Sequence, residues 1–255
     1  MRVLLLNANT NPAMTEHVVK AARLYAADID FTGATGRFGS PHIGTRATYA
    51  IAAHAAIDCY AAQTERFDAI ILACFGDPGL GALQDLADVP VFGLAESACR
   101  AAAFRRRPFS IVTGGERWVG MLKDYLTPLG LTEYLASVRA VDVTGSQILS
   151  DPDGSLDKLA QACRLAETED GAASVILGGA GLVGLAKRLA AKVSVPLVDC
   201  LEPAIDAVRA SVPKRSPSSS PPLVRPSGPA TAFVGIEPEL AALLSADIGK
   251  DTPSR

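Results

Sequence analysis

Aromatic residues, net charge, histidine and paired cysteines are all scarce in this chain, and each shortage closes a class of function. Aromatics make up 5% of the 255 residues, and the formal charge is −3 with basic residues scattered apart from Arg105-Arg106-Arg107. A nucleic-acid surface needs a basic stripe with stacking platforms, so nucleic acid is not an expected partner. The arginine run precedes the strand-like stretch Pro108 to Thr113 and reads as a solvated helix end. Five cysteines, at 59, 74, 99, 163 and 200, form no C-x-x-C pair and leave an odd count. That pattern implies reduced thiols in a cytoplasmic protein rather than a disulfide framework. His17, His42 and His54 lack ligand spacing, so packing or surface roles are expected and no metal is.

Other absences narrow the field further. The amino terminus is apolar only from Val3 to Leu6 before it turns polar, too short for a signal-peptide core or a span, and no membrane partner is expected. No Gly-Lys-Ser or Gly-Lys-Thr is present, which removes a P-loop, and no G-x-S-x-G elbow is present for serine catalysis. The glycines of Gly33-Ala-Thr-Gly36-Arg-Phe-Gly39 do not match G-x-G-x-x-G, and Pro41 stands where a helix should begin. Lysine is sparse near the strand ends, so no Schiff-base cofactor is expected.

What is present is a phrase written twice. Phe67-Asp-Ala-Ile-Ile-Leu-Ala-Cys74-Phe-Gly-Asp-Pro-Gly79 has a second version in Ala173-Ser-Val-Ile-Leu-Gly-Gly179-Ala-Gly181, which sets Cys74 against Gly179. Pro90 lies sixteen residues after Cys74 and Pro196 seventeen after Gly179; each follows a valine and precedes a glutamate, Glu96 or Glu202, by six. An apolar run, a glycine-rich turn, an amphipathic stretch (Leu80 to Asp88, Leu182 to Lys192) and a Val-Pro-apolar run make a strand, crossover helix and parallel strand.

With 49% hydrophobic residues the chain is globular, and its length suits two such units. Strands are expected at Arg2 to Leu6, Ile29 to Thr32, Ala69 to Ala73 and Val91-Phe92, and again at Phe109 to Val112, Ser137 to Val141, Ser174 to Leu177 and Leu197-Val198. Helices are expected between and after them: Pro12 to Ala27, Thr45 to Gln63, Ser97 to Phe104, Trp118 to Leu129, Leu156 to Thr168 and Gly184 to Ala191. Such alternation predicts an α/β fold of two similar doubly wound parallel-sheet domains, residues 1–97 and 98–210, with a helix near 200–210 able to pack back on the first half. Residues 211–255 are rich in Pro and Ser from Pro213 to Pro229 and are expected to be a disordered tail, with a short helix at Glu237 to Ser245.

Ligands of open parallel sheets sit beyond the carboxyl ends of the strands. The polar and glycine residues cluster there: Asn7, Asn9 and Thr10; Cys74 and Gly76; Thr113, Gly114 and Gly115; Gly178 to Gly181. A thiol at such a turn becomes a usable base where helix N-termini and backbone N–H groups lower its pKa, and the same donors can hold an enolate. Cys74 is the candidate.

Four segments in order, Asn7-Ala-Asn-Thr-Asn-Pro-Ala-Met-Thr15, Leu72-Ala-Cys-Phe-Gly-Asp-Pro-Gly-Leu80, Val112-Thr-Gly-Gly-Glu-Arg-Trp118 and Ile176-Leu-Gly-Gly-Ala-Gly-Leu182, resemble the aspartate/glutamate/hydantoin racemase superfamily, nearest its hydantoin and allantoin branch. The resemblance spans about residues 1 to 210. It implies two halves related by a pseudo-twofold axis, a cofactor-independent site between them, and two cysteines flanking an acidic carbon of an amino acid or hydantoin-like substrate. In the resemblance Asn9 and Thr113 match residues that bind the anionic or carbonyl end of that small molecule, along with the backbone at Phe75, Gly76 and Gly114. Thr10, Gly115, Gly178 and Ala180 are further candidates for binding it, and a homo-oligomer is expected. The departure is Gly179, which stands where the second cysteine belongs and can carry no proton. Cys59, Cys99 and Cys163 fall in expected helices and Cys200 follows the next strand, so all four read as core thiols. Three readings follow: a racemase using Cys74 with another partner, a one-thiol decarboxylase resembling arylmalonate decarboxylase in mirror arrangement, or a binding protein without turnover.

Overall fold

The computed structural model describes residues 1–104, 106–212 and 233–250. Two four-stranded parallel sheets carry the chain. The first contains β1 (Arg2–Asn7), β2 (Asp30–Thr35), β3 (Ala69–Leu72) and β4 (Val91–Gly93) in the order β2-β1-β3-β4. The second contains β5 (Phe109–Gly114), β6 (Leu135–Val141), β7 (Ser174–Gly178) and β8 (Leu197–Asp199) in the order β6-β5-β7-β8. The central strands explain themselves. Val3 to Leu6, Ile70 to Leu72, Ile111, Val112 and Val175 to Leu177 are all fully buried, because helices cover both faces of each sheet.

Those helices are α1 (Pro12–Tyr25), α2 (Arg46–Ala61), α3 (Leu80–Leu86) and α4 (Leu94–Ala103) in the first half. The second half carries α5 (Arg117–Leu126), α6 (Gly145–Ser150), α7 (Pro152–Thr168), α8 (Ala186–Leu189) and α9 (Glu202–Ser211). Local chemistry starts several of them. The Asn11 side chain accepts from the Ala13 N–H ahead of Pro12 in α1, and Thr45 and Thr48 form a capping box on α2. A second box, Thr144 with Gln147, opens α6, a helix that lies outside the expected set. The helix expected from Gly184 to Ala191 is reduced to the single turn of α8, preceded by a 3₁₀ turn at Ala180–Leu182.

The last helix of each half crosses to the other. α4 packs against β7, β8 and α9, while α9 packs against β3, β4 and α4. One apolar core therefore runs through both halves and includes Leu94, Ala98 and Cys99 of α4 with Ala204, Ile205 and Val208 of α9. α4 begins three residues earlier than its sequence suggests because Asp77, far back in the chain, accepts from the N–H groups of Ala95 (3.0 Å) and Glu96 (2.8 Å).

Beyond α9, the Pro/Ser-rich stretch 213–232, expected to be disordered, lies outside the described residues, as does Arg105 of the arginine run. The terminal helix α10 (Pro238–Lys250) is docked on α2 and α3, with Leu240 fully buried. The expectation of an unattached tail does not hold for this helix: Leu240 and Leu243 supply an apolar face that the first half covers. No helix among the described residues is long and apolar enough to cross a membrane.

Candidate active site

In each sheet the strand order reverses between two central strands, β1 and β3 or β5 and β7, and a crevice opens beyond their carboxyl ends. Pairing registers show how the halves correspond. Leu4 pairs with Ile70 and Ile70 with Val91; Ser110 pairs with Val175 and Val175 with Leu197. Counting four residues on from Ile70 and Val175 places Cys74 opposite Gly179 in the pseudo-symmetry, Phe75 opposite Ala180, Gly76 opposite Gly181 and Asp77 opposite Leu182.

The two crevices meet in one narrow cavity of about 70 Å³. Eight of the eleven expected residues line it: Asn9, Cys74, Phe75, Thr113, Gly114, Gly178, Gly179 and Ala180. The other three are occupied elsewhere. The Thr10 N–H donates to the Ser40 carbonyl and the Gly115 N–H to the Val141 carbonyl, while Gly76 packs under the Trp118 ring and its carbonyl accepts from the Tyr49 hydroxyl at 2.6 Å. Gly181, of the glycine cluster after β7, lines it as well, and Met14, Pro41, His42, Ile43, Trp118, Gly145, Ser146 and Leu182 join the lining without having been expected. The loop carrying His42 has no periodicity and no motif, so only its fold position brings it to the cavity, half-buried.

Asn9 is held as a donor. Its Oδ1 accepts from Asn7 Nδ2 (2.9 Å) and the Asn11 N–H (2.9 Å), and its own N–H is fixed by Asn7 Oδ1 (3.1 Å). Its Nδ2 makes no hydrogen bond within the described protein and remains for a ligand. Thr113 differs: its hydroxyl donates to the Gly178 carbonyl at 2.6 Å, tying β5 to the second turn. Only lone pairs are left on Thr113, so it suits a ligand N–H rather than the anionic or carbonyl end expected of it. The backbone N–H groups of Phe75, Ala180 and Gly181 have no partner within the described protein, giving each turn a donor just past its Cys74 or Gly179 position.

Cys74 lies at the cavity with 7% exposure. Burial, with the Asp77 carboxyl nearby, pushes its thiol up to about 12. This reverses the expected lowering: the turn runs on to Gly79 before α3 begins, and desolvation outweighs the donors. Cys74 therefore rests as a thiol.

Gly179 has φ 163° and ψ 139°, extended backbone open to any residue, and a Cβ built there would meet the tip of Leu182 at 2.9 Å. Cys200 does not fill the gap. It is fully buried, its thiol donates to the Gly179 carbonyl at 3.6 Å, and it is not part of the cavity lining. Cys59, Cys99 and Cys163 are likewise buried, within α2, α4 and α7. Among the described residues no group of three His, Cys, Asp or Glu side chains is placed to hold a metal.

The Asp/Glu/Hydantoin racemase family profile matches residues 3–208. The hydantoin racemase of Paenarthrobacter aurescens is 35% identical over 207 residues, covering 80% of this chain and 88% of that one. Among solved structures, the allantoin racemase of Pseudomonas fluorescens superposes with a TM-score of 0.79 at 32% identity, over 82% of this chain and 90% of its own. The allantoin racemase of Klebsiella pneumoniae gives 0.75 at 33%, over 82% and 86%.

Proposed function

We propose, from the premise that this chain belongs to the Asp/Glu/hydantoin racemase family, that it racemises a small cyclic ureide of the hydantoin or allantoin kind, with Cys74 moving a proton at the ring's acidic carbon. That it is a racemase follows from the family; the substrate and the role of Cys74 are our reading. One observation carries the choice of substrate: among the described residues no lysine, arginine, aspartate or glutamate lines the cavity. A free amino acid brings a carboxylate and an ammonium, both costly to desolvate without charged partners. A cyclic ureide brings carbonyls and ring N–H groups instead. Asn9 Nδ2 and the Phe75, Ala180 and Gly181 N–H groups suit the former, and the Thr113 oxygen the latter. As the carbon loses its proton, charge moves onto the carbonyl oxygen, where such donors stabilise it. The Cys74 thiol gives a proton to one face of that carbanion, or as thiolate removes one from it.

With this reading go the expectations of a cytoplasmic protein and a homo-oligomer. Phe104, 87% exposed beside a hollow lined by Phe92 and Pro203, supports the second, which light scattering tests. The substrate assignment is tested by incubating single enantiomers of 5-substituted hydantoins, allantoin, aspartate and glutamate in D₂O, with chiral chromatography and mass detection against a buffer blank. Loss of chirality with deuterium at the ring carbon is expected for a ureide. Racemisation confined to the amino acids would overturn the assignment.

A further inference from the structure

Racemisation needs a proton removed on one face and returned on the other. The second turn offers nothing for this: Gly178, Gly179, Ala180, Gly181 and Leu182 hold no titratable group, and Cys200 turns its thiol to the Gly179 carbonyl outside the cavity. Among the described residues that line the cavity, the two side chains with an acid–base group suited to proton transfer at carbon are the Cys74 thiol and the His42 imidazole.

The setting of His42 is a braced loop backbone carrying a ring with idle nitrogens. The Ser40 hydroxyl accepts from the His42 N–H (3.2 Å) and donates to its carbonyl (2.6 Å), bracing the backbone on both sides. The imidazole lies over Gly44, where even a Cβ would stand 2.7 Å from Nε2. One residue on, the Ile43 carbonyl accepts from Trp118 Nε1 at 3.0 Å, so a loop of the first half is pinned to α5 of the second. The ring is half-buried, and neither ring nitrogen bonds to the described protein.

We propose that His42 is the second proton-transferring residue of the site, acting across the substrate carbon from Cys74 and standing in for the cysteine that Gly179 lacks. The inference rests on the racemase reading above. In one direction a ring nitrogen of neutral His42 takes the proton from the carbon, and the Cys74 S–H bond breaks to give its proton to the opposite face. Imidazolium and thiolate remain. They either run the reverse reaction or return to imidazole and thiol by exchange with water, so no other reactant is needed.

His42→Asn and His42→Gln, followed in D₂O with each enantiomer of the ureide that the parent racemises, test this. Both variants are expected to melt near the parent and to lose racemisation of either enantiomer by about a hundredfold or more. The enantiomer whose hydrogen faces Cys74 should still exchange it for deuterium with retention, while the other should not exchange at all. Parental racemisation in either variant, or equal loss of exchange from both enantiomers, would overturn the role of His42. Neither outcome touches the racemase reading, which fails separately if the parent protein racemises none of the ureides and amino acids; the role of Cys74 fails separately if Cys74→Ser keeps the parental rate.

Discussion

The turn after β3 and the turn after β7 occupy equivalent places, yet they hold different chemistry. The first reads Cys74-Phe75-Gly76-Asp77 and the second Gly179-Ala180-Gly181-Leu182. Each offers an unpartnered N–H just past its first residue, so the means of holding an oxygen has stayed on both sides while the means of moving a proton has stayed on one. Phe75 reaches across: its ring lies where a side chain on Gly178 would have to go. Asp77 ties the first turn to α4 and, through the Tyr125 hydroxyl at 2.6 Å, to α5. The second turn is tied by backbone, by the Thr113 hydroxyl on the Gly178 carbonyl and by the Cys200 thiol on the Gly179 carbonyl. The first turn thus carries both the thiol and the braces, and the second supplies a wall of small residues.

The largest break in this comparison comes from Cys74→Ser. Turnover of a ureide should fall by about a hundred- to ten-thousandfold, since a hydroxyl is a far weaker acid than a thiol and ionises far less readily to the anion that takes a proton, while the melting temperature stays near that of the parent. Chiral chromatography and a thermal melt read the two parts. An undiminished rate would move the chemistry away from the first turn altogether.

The next effect concerns the first half as a whole, which alone carries an additional helix, α10. Removing residues 233–255 should cost about 2 to 4 kcal/mol, the order expected for exposing the ground beneath Leu240 and Leu243. Glu239 also stands 4.0 Å from Arg37, whose guanidinium binds the buried Asp58. Urea unfolding of the truncated chain checks this; an unchanged midpoint would mean that α10 adds nothing to the half it covers.

Asp77 sharpens the contrast through pH. Burial raises its carboxyl from 3.8 to about 6, although hydrogen bonds from Tyr125, Ala95 and Glu96 oppose the shift. The folded state therefore holds this proton more tightly than the unfolded chain does. Its contribution to stability is complete below pH 3.8 and declines as pH climbs through 6. Asp77→Asn removes that decline, so between pH 4 and pH 7 the variant should gain on the parent by roughly 2 to 3 kcal/mol. Leu182, at the equivalent position, has no such dependence. A constant difference between variant and parent across the range would mean that Asp77 is not buried as a carboxyl.

The repeat was legible in sequence because its strands are buried on both faces and so read as uninterrupted apolar runs; Ile70 to Leu72 and Val175 to Leu177 announce themselves. Cys74 and Gly179 could be matched from the same alignment of phrases. What depended on distant partners could not be read. α4 is capped by Asp77 rather than by a neighbour, so its first turn carried no local signal. His42, Trp118 and Met14 enter the cavity only once the strand ends are brought together; Met14 and Trp118 lie in segments that resemble the family but carried no role there, and His42 lies in none. The rise in the Cys74 pKa was also out of reach, since glycines around a turn suggest exposed donors but say nothing of the apolar walls that Trp118 and Ile43 place over them.

The smallest effect separates the two glycines of the second turn and asks why it lacks a thiol. A Cβ on Gly178 would sit 2.6 Å from Phe75 Cε1 and 2.7 Å from Ile111 Cγ2, both buried side chains, whereas the equivalent residue of the first turn, Ala73, carries its methyl in the buried core. Gly178→Ala should therefore cost about 1 to 3 kcal/mol through overpacking. At Gly179 the backbone is extended and the one close neighbour is the end of the Leu182 side chain, which can turn aside. Gly179→Ala should cost less than about 1 kcal/mol. Urea midpoints of the two variants decide the matter. If Gly178→Ala is the more damaging, the second turn is shaped by Phe75 crossing from the first, and the position facing Cys74 is free to accept a side chain. Equal damage at both would mean instead that the backbone at Gly179 needs its glycine, and that the missing thiol is imposed by the fold rather than by the chemistry.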